Sequence, residues 1–249
     1  MTEDLLRRGR WRTWTPYLLA LAILVATFAY GAAVYDSLPD RVPLHWGASG
    51  EPTRWGEKSV GTVFVGLMMT AMTLPTVAVV GAVVPMMSAH DGERSDRTRL
   101  RVEGSLRGIR SGLGWMCVVI VGSVAALSVQ AWRSETMTTS TWPLVVLLVG
   151  CLGALVPPYV YWARWARRTA EAHGIHPTPE EESEDRLWLP LGLYNDPEDP
   201  RVLVPRREGF GLGTTFNVGN PRGRAWAIAV LAGPILIAVA LLVVAMTRG

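Results

Sequence analysis

Charge is what this 249-residue chain has least of. Lys, Arg, Asp and Glu make up 18% of it, against roughly 25% in ordinary soluble domains. The shortage is local: stretches 16–34, 59–87, 112–131, 142–162 and 225–246 contain none of the four and no histidine. Runs of this length exclude both a single soluble core and a disordered chain. They also exclude the usual plan of a proton-coupled transporter or an intramembrane protease, which places costly ionisable groups inside its spans. Cysteine is nearly missing too. Cys117 and Cys151 both fall in apolar runs, so no disulfide framework and no zinc spacing can be assembled, and both read as small hydrophobes. No nucleophile, metal set or cofactor motif emerges, so no enzyme activity, catalytic residue, metal or cofactor is expected.

What is present is a membrane pattern. About 20 apolar residues suffice to span a bilayer, and each of the five runs qualifies, which predicts an all-α transmembrane bundle of five spans. Pro75, Pro157, Pro158 and Pro234 predict kinks, which neighbouring helices can accommodate. Eight of the eleven tryptophans, among them Trp11, Trp14, Trp115, Trp132, Trp142, Trp162, Trp165 and Trp226, lie at run borders, where an indole suits the headgroup level. Small residues four apart, Gly122 with Ala126, Gly150 with Ala154 and Ala229 with Gly233, suit close helix packing. Thr70, Thr73 and Thr76 either line a polar seam or bond their own helix, the commoner arrangement.

Net charge is +3 and the pI near 9.1, yet the basic residues cluster beside spans and not on one soluble face, so no nucleic-acid partner is expected. Arginine placement sets the orientation. Four arginines precede the first span, six lie between the second and third, and nine between the fourth and fifth. Those segments are expected inside, which predicts a multi-pass cell-membrane protein with a cytoplasmic N-terminus and an extracytoplasmic C-terminus. The first run is longer than a signal-peptide core and reads as an uncleaved anchor.

Loop 36–58 joins the first two spans. Val42-Pro-Leu-His-Trp46 reads as extended, Gly47-Ala-Ser-Gly50 as a turn and Glu51-Pro52 as a second turn. His45, close in sequence to Asp36, Asp40, Glu51 and Glu57, suits a metal or a pH sensor; a hydrogen-bonded structural histidine is the commoner use. The series Leu38, Pro39, Asp40, Val42, Pro43, His45, Gly50, Glu51, Pro52, Trp55, Gly56 and Lys58, following directly on an apolar helix, resembles a bacterial domain of unknown function best known from the N-terminal part of Sdp-type immunity and signal-transducing membrane proteins. The resemblance covers at most the first three spans. It implies a membrane protein that protects a producing cell from its own toxin or holds a repressor at the membrane, with Pro39, Asp40, Pro43, His45, Gly50, Trp55 and Lys58 as its extracytoplasmic motif.

Segment 163–224 is the largest one outside the runs. It begins with arginines that anionic headgroups attract, continues through the acidic run 179–185, which reads as a solvated linker, and then offers short extended pieces at 186–194, 201–207 and 213–218. These predict a small cytoplasmic β-ribbon insert between spans four and five. His173 and His176 are set three apart, but Gly174 and Pro177 interrupt any helix carrying both, so a metal pair is not expected there. Gly209-Phe-Gly-Leu-Gly213 lacks the context of a phosphate loop and reads as a hairpin turn. All three asparagines, Asn195, Asn217 and Asn220, sit here, where they suit turns and caps. Tyr194, Asn195, Asp199, Pro200, Arg201, Asn217, Asn220 and Pro221, with their neighbours, resemble a second short domain of unknown function that often accompanies the first.

The chain therefore divides into an N-terminal membrane domain (1–131) with outer loop 36–58 and inner loop 88–111, a fourth span with its outer loop (132–165), a cytoplasmic linker and β-ribbon (166–224), and a last span (225–249). The expected function is binding, immunity or signalling, with the bilayer, an outer protein or peptide ligand and a cytoplasmic protein as partners. The alternative is a small-solute transporter or an accessory subunit of a membrane complex.

Overall fold

The computed structural model describes residues 2–47, 49–87, 94–140, 142–189, 192–207 and 213–248. It is mostly helical. The helices are α1 (Thr2–Arg7), α2 (Thr15–Val34), α3 (Val60–Met87), α4 (Asp96–Arg133), α5 (Trp142–Gly153), α6 (Val156–Ala172), α7 (Pro179–Asp185) and α8 (Pro221–Arg248). Short 3-10 turns at Arg10–Trp14 and Tyr35–Ser37 and, among the described residues, three antiparallel strand pairs accompany them: β1 (Arg41–Trp46) with β2 (Pro52–Glu57), β3 (Trp188–Leu189) with β4 (Leu193–Tyr194), and β5 (Leu203–Pro205) with β6 (Thr214–Phe216).

Among the described residues, four helical stretches are long and apolar enough to cross a membrane: Glu3–Ser37, Val60–Val83, Asp96–Arg133 and Trp142–Ala172. Exposure supports the same class. Leu18, Val25, Met69 and Met72 turn outward, Met72 to 74%, and an apolar helix that shows its side chains on the outside needs a hydrocarbon solvent. The fifth run falls in α8, a single helix of 28 residues. The fourth run is broken at Ala154 and Leu155 into α5 and α6. Pro157 and Pro158 open α6, where a missing N–H costs little.

The chain forms two compact units. One unit comprises 11–81, 111–155 and 241–249. Tyr17, Ala20 and Leu24 of α2, Phe64, Leu67 and Leu74 of α3, and Cys117 and Val121 of α4 make its core. Glycines set the spacing: a Cβ on Gly31 would lie 2.6 Å from the rings of Phe64 and Trp132, one on Gly114 would lie 2.8 Å from Tyr17, and one on Gly150 would lie 2.9 Å from Val119. Of the small-residue pairs read from the sequence, Gly150 thus meets a neighbour, while the space beside Gly122 and Gly233 is open. Thr70, Thr73 and Thr76 donate to the carbonyls of Gly66, Met69 and Met72 at 2.7, 3.0 and 2.9 Å. All three hydroxyls serve their own helix.

The other unit comprises 1–10, 82–110 and 156–240. Here the early part of α4 packs on α6 through Gly104 and Gly108, whose Cβ positions would fall 2.8 Å from the Trp162 carbonyl and 2.9 Å from Tyr159 Cα. Such close backbone approach admits only glycine. Beside it lies a buried ion cluster. Glu103 Oε1 accepts from Arg10 Nε at 2.8 Å and Arg107 Nε at 2.7 Å, and Oε2 accepts from Arg10 Nη2 at 2.7 Å. Arg107, 1% exposed, donates to the Leu6 carbonyl at 2.8 Å and lies 4.1 and 5.0 Å from the ring centres of Trp165 and Trp162. These two tryptophans stack on a guanidinium, where the sequence reading sets them at a lipid border.

The acidic run 179–185 is also not a linker. It is helix α7, closed by a capping box in which Thr178 Oγ1 accepts from the Glu181 N–H and Glu181 Oε2 from the Thr178 N–H. Proline at its start and three glutamates in its first turn suit a helix N-terminus. Pro52, read as part of a turn, opens strand β2 instead, a position that tolerates proline. The Gly209–Gly213 turn lies largely outside the described residues.

Candidate functional site

Small antiparallel strand pairs lie in both motif regions, and the hydrogen bonds there show what each motif residue does. In the first, Val42, Pro43 and Trp46 pair with Gly56, Trp55 and Pro52, with irregular register on both sides of His45. Pro43, which has no N–H to give, sits where the ladder is interrupted. The turn closes by Gly50 N donating to the Gly47 carbonyl at 3.0 Å. Gly50 has φ +83°, and a Cβ there would stand 1.7 Å from the Thr139 carbonyl oxygen. Only glycine meets both demands.

That close approach fastens the hairpin to the segment before α5. Thr139 N donates to the Gly50 carbonyl at 2.9 Å, and Trp46 Nε1 to the Met137 carbonyl at 2.8 Å. Leu38, Val42 and Met137 bury together beneath it. Lys58 ties the far end: its Nζ donates to the Leu38 carbonyl at 2.8 Å, its N–H to the Asp40 carbonyl at 2.7 Å, and its charge lies 5.6 Å from the Tyr35 ring centre. The Asp40 carboxylate is solvent-exposed and 4.0 Å from Lys58 Nζ. Pro39 is exposed; His45, also exposed, has Nδ1 2.7 Å from Thr53 Oγ1. Trp55 is 40% exposed. Pro43, Gly50 and Lys58 therefore build the hairpin, while Pro39, Asp40, His45 and Trp55 are presented by it.

The second motif is a scaffold centred on Asn217, which is fully buried. Its Oδ1 accepts from the N–H groups of Asp196 and Gly219, both at 3.0 Å, and its Nδ2 donates to the carbonyls of Asp196 at 2.8 Å and Asp199 at 3.0 Å. One side chain thus fixes the turn between β4 and β5 against the strand ending at β6. Asn220 does the same at the next corner: Nδ2 donates to the Pro200 carbonyl at 3.1 Å, and Oδ1 accepts from Arg222 N at 2.9 Å in front of α8, with Pro221 as its first residue. Asn195 N donates to the Leu187 carbonyl at 2.8 Å. Tyr194 meets Trp188 edge to face, ring centres 5.3 Å apart, and donates to Asp196 Oδ2 at 3.1 Å. Arg201 grips Asp199 with Nε and Nη2, at 3.0 and 2.6 Å, which together with its own N–H holds the Asp199 carboxyl below the usual range.

The eight motif residues come together at this corner, and their polar groups are largely spent on one another. Among the described residues no group of three histidine, cysteine or carboxylate side chains gathers as a metal site. His173 Nδ1 bonds the Thr169 carbonyl of its own helix at 2.8 Å. Sequence reasoning missed the Glu103 cluster and an arginine-walled cavity next to α6; the one advance signal was the helical spacing of Glu103 and Arg107.

These features define a helical protein of membrane type that carries an anchored β-hairpin. Residues 22–70 match the model of a domain of unknown function, DUF1648. The match takes in most of α2, the whole hairpin and the first part of α3. No curated protein and no solved structure matches the chain.

Proposed function

We propose that this chain is a five-span cell-membrane protein of the binding, immunity or signalling kind. Its N-terminus is cytoplasmic and its C-terminus extracytoplasmic, and α8 is the fifth span. The β1–β2 hairpin receives an extracytoplasmic protein or peptide, and the small strand pairs of 188–216 are a cytoplasmic β-module that meets an intracellular protein. The resemblance of the hairpin to the N-terminal part of Sdp-type proteins, and of 194–221 to a short accompanying domain, supports this reading.

The observation that carries it is the pinned hairpin. A ribbon tied at both ends yet showing Trp55 at 40% exposure is preorganised for contact, and exposed indoles on rigid supports are favoured at binding hot spots. The threonine hydroxyls returned to their own helix give a transport seam no support. A photocrosslinking residue in place of Trp55, in native membranes, is expected to capture a discrete extracytoplasmic partner that the same probe at Glu135 does not. Identical capture from both positions, or none from either, refutes the reading.

A further inference from the structure

The strongest unexplained feature is a half-open cavity of about 510 Å3 lined by α4, α6 and the chain around α7 and β3. Arg97, Arg101, Arg164, Arg167 and Arg207 line it, and among the described residues Asp185 is the one carboxylate in its walls. That carboxylate is overcommitted: it lies 3.6 Å from Arg97, 3.6 Å from Arg101 and 2.5 Å from Arg207. The two longer contacts are Coulombic and not hydrogen bonds. Counting Glu184, which lies 2.8 Å from Arg207, Glu181 of the same helix and Glu171, 3.7 Å from Arg167, still leaves the five guanidiniums in excess among the described residues. Arg101 and Arg207 are close enough for their charges to repel.

Donors are unmatched as well. Arg101 Nε and Arg207 Nε are buried with no hydrogen-bond partner among the described residues, the Glu184 contact of Arg207 lacking the geometry of one. The Arg207 side chain is only 6% exposed. Arg164 makes no hydrogen bond or ion pair among the described residues. Buried donors without acceptors are costly; planar guanidinium forks match both carboxylate and phosphoryl oxygens, and a phosphoryl group offers enough oxygens to serve several forks at once. The lining also has apolar members, Val160, Ala163 and Ala166 of α6 and the Trp188 indole. The volume lies in the range of organic-ligand pockets.

We propose that this cavity binds a phosphoryl-bearing organic anion, its phosphate on Arg101, Arg164 and Arg207 and its organic part on α6 and Trp188. This goes beyond the hairpin reading and does not depend on it. The same chemistry has two sources, an anionic phospholipid headgroup or a soluble phosphate ester. α6 ends a stretch long and apolar enough to cross a membrane, which makes the lipid a natural source.

The purified full chain, in neutral detergent, is titrated by calorimetry with glycerol phosphate and with short-chain phosphatidylglycerol, using short-chain phosphatidylcholine as the neutral control. Saturable binding of either anion, weakened about tenfold or more by R101Q and by R164Q, is the expected result. R168Q, on the same helix but off this cavity, is expected to leave it unchanged. Glycerol phosphate binding as well as the lipid assigns a soluble ester; lipid binding alone assigns the headgroup. Because Arg164 has no partner to lose among the described residues, R164Q decides the matter even where R101Q fails to fold. Absence of saturable binding by both anions, equal binding of phosphatidylcholine, or binding indifferent to R164Q overturns the proposal.

Discussion

Replacing Glu103 by alanine tests the buried charge cluster directly. The carboxylate is nearly enclosed and holds two guanidiniums, of which Arg107 is 1% exposed and Arg10 has a side chain 53% exposed. After the substitution Arg10 turns to water at little cost, but Arg107 stays buried with, among the described residues, only the Leu6 carbonyl and two indole faces as partners. Stripping one partner from a buried pair costs about 3–5 kcal/mol, which is about two to three and a half powers of ten in a folding equilibrium. Arg10→Ala removes a half-exposed contact and is expected to cost about 1 kcal/mol or less. The pair Glu103→Gln with Arg107→Met is expected to cost less than Glu103→Ala alone, since no buried unpaired charge remains. Denaturant titration in detergent measures all three, and tryptophan fluorescence reports on the site itself because Trp162 and Trp165 flank Arg107. A loss below about 1 kcal/mol for Glu103→Ala, or equal losses for Glu103→Ala and Arg10→Ala, refutes the reasoning.

Gly50→Ala must hold a Cβ at positive φ and against the Thr139 carbonyl, so it is expected to cost at least about 1–2 kcal/mol and to speed amide exchange through β1 and β2; unchanged exchange rates contradict this. Asn217→Ala leaves two buried N–H groups and two carbonyls without their partner, a penalty of about 1–3 kcal/mol for each group that water cannot reach. Limited proteolysis is then expected to cut between Leu187 and Pro221 well before the wild-type chain, and equal cutting rates speak against the scaffold role. Burial pushes the Glu181 carboxyl up, but hydrogen bonds from Ser95, Thr98 and the Thr178 N–H, with the Arg101 charge, outweigh it and hold the group below the ordinary glutamate range. Its depressed value means that the stabilisation is full above the ordinary glutamate range and is lost as pH falls through that range and then through the lowered value. Exchange protection of α7 should follow that course, and Thr98→Val should move the loss to higher pH; a midpoint unmoved by Thr98→Val counts against it.

The apolar helices were legible because hydropathy over a span is a sum, and a sum survives ignorance of every contact. β1 and the turn at Gly50 were legible for a local reason, since proline and glycine declare backbone geometry without reference to partners. The acidic run misled because composition was weighed above position. Thr178 followed by Glu181 is a capping box, and a single carboxylate, Glu181, then finds Thr98 across 83 residues, a pairing that no window of sequence contains. Trp162 and Trp165 misled for a related reason: an indole near arginines at the end of an apolar run looks the same whether it faces headgroups or stacks on Arg107.

The motif residues carry a different lesson. Gly50 and Lys58 in one region, and Asn217 and Asn220 in the other, bond backbone groups within their own corner, so a recognisable pattern there reports how a loop is held and not what it touches. Chemistry left over for a partner must come from side chains whose bonding is unfinished. On the hairpin that condition picks out Trp55, and in the other unit it picks out Arg101 and Arg164, neither of which belongs to either motif. The mutations that abolish folding and those that abolish function should therefore separate: the first concentrate within the motifs, the second on Trp55 and on arginines that the motifs omit.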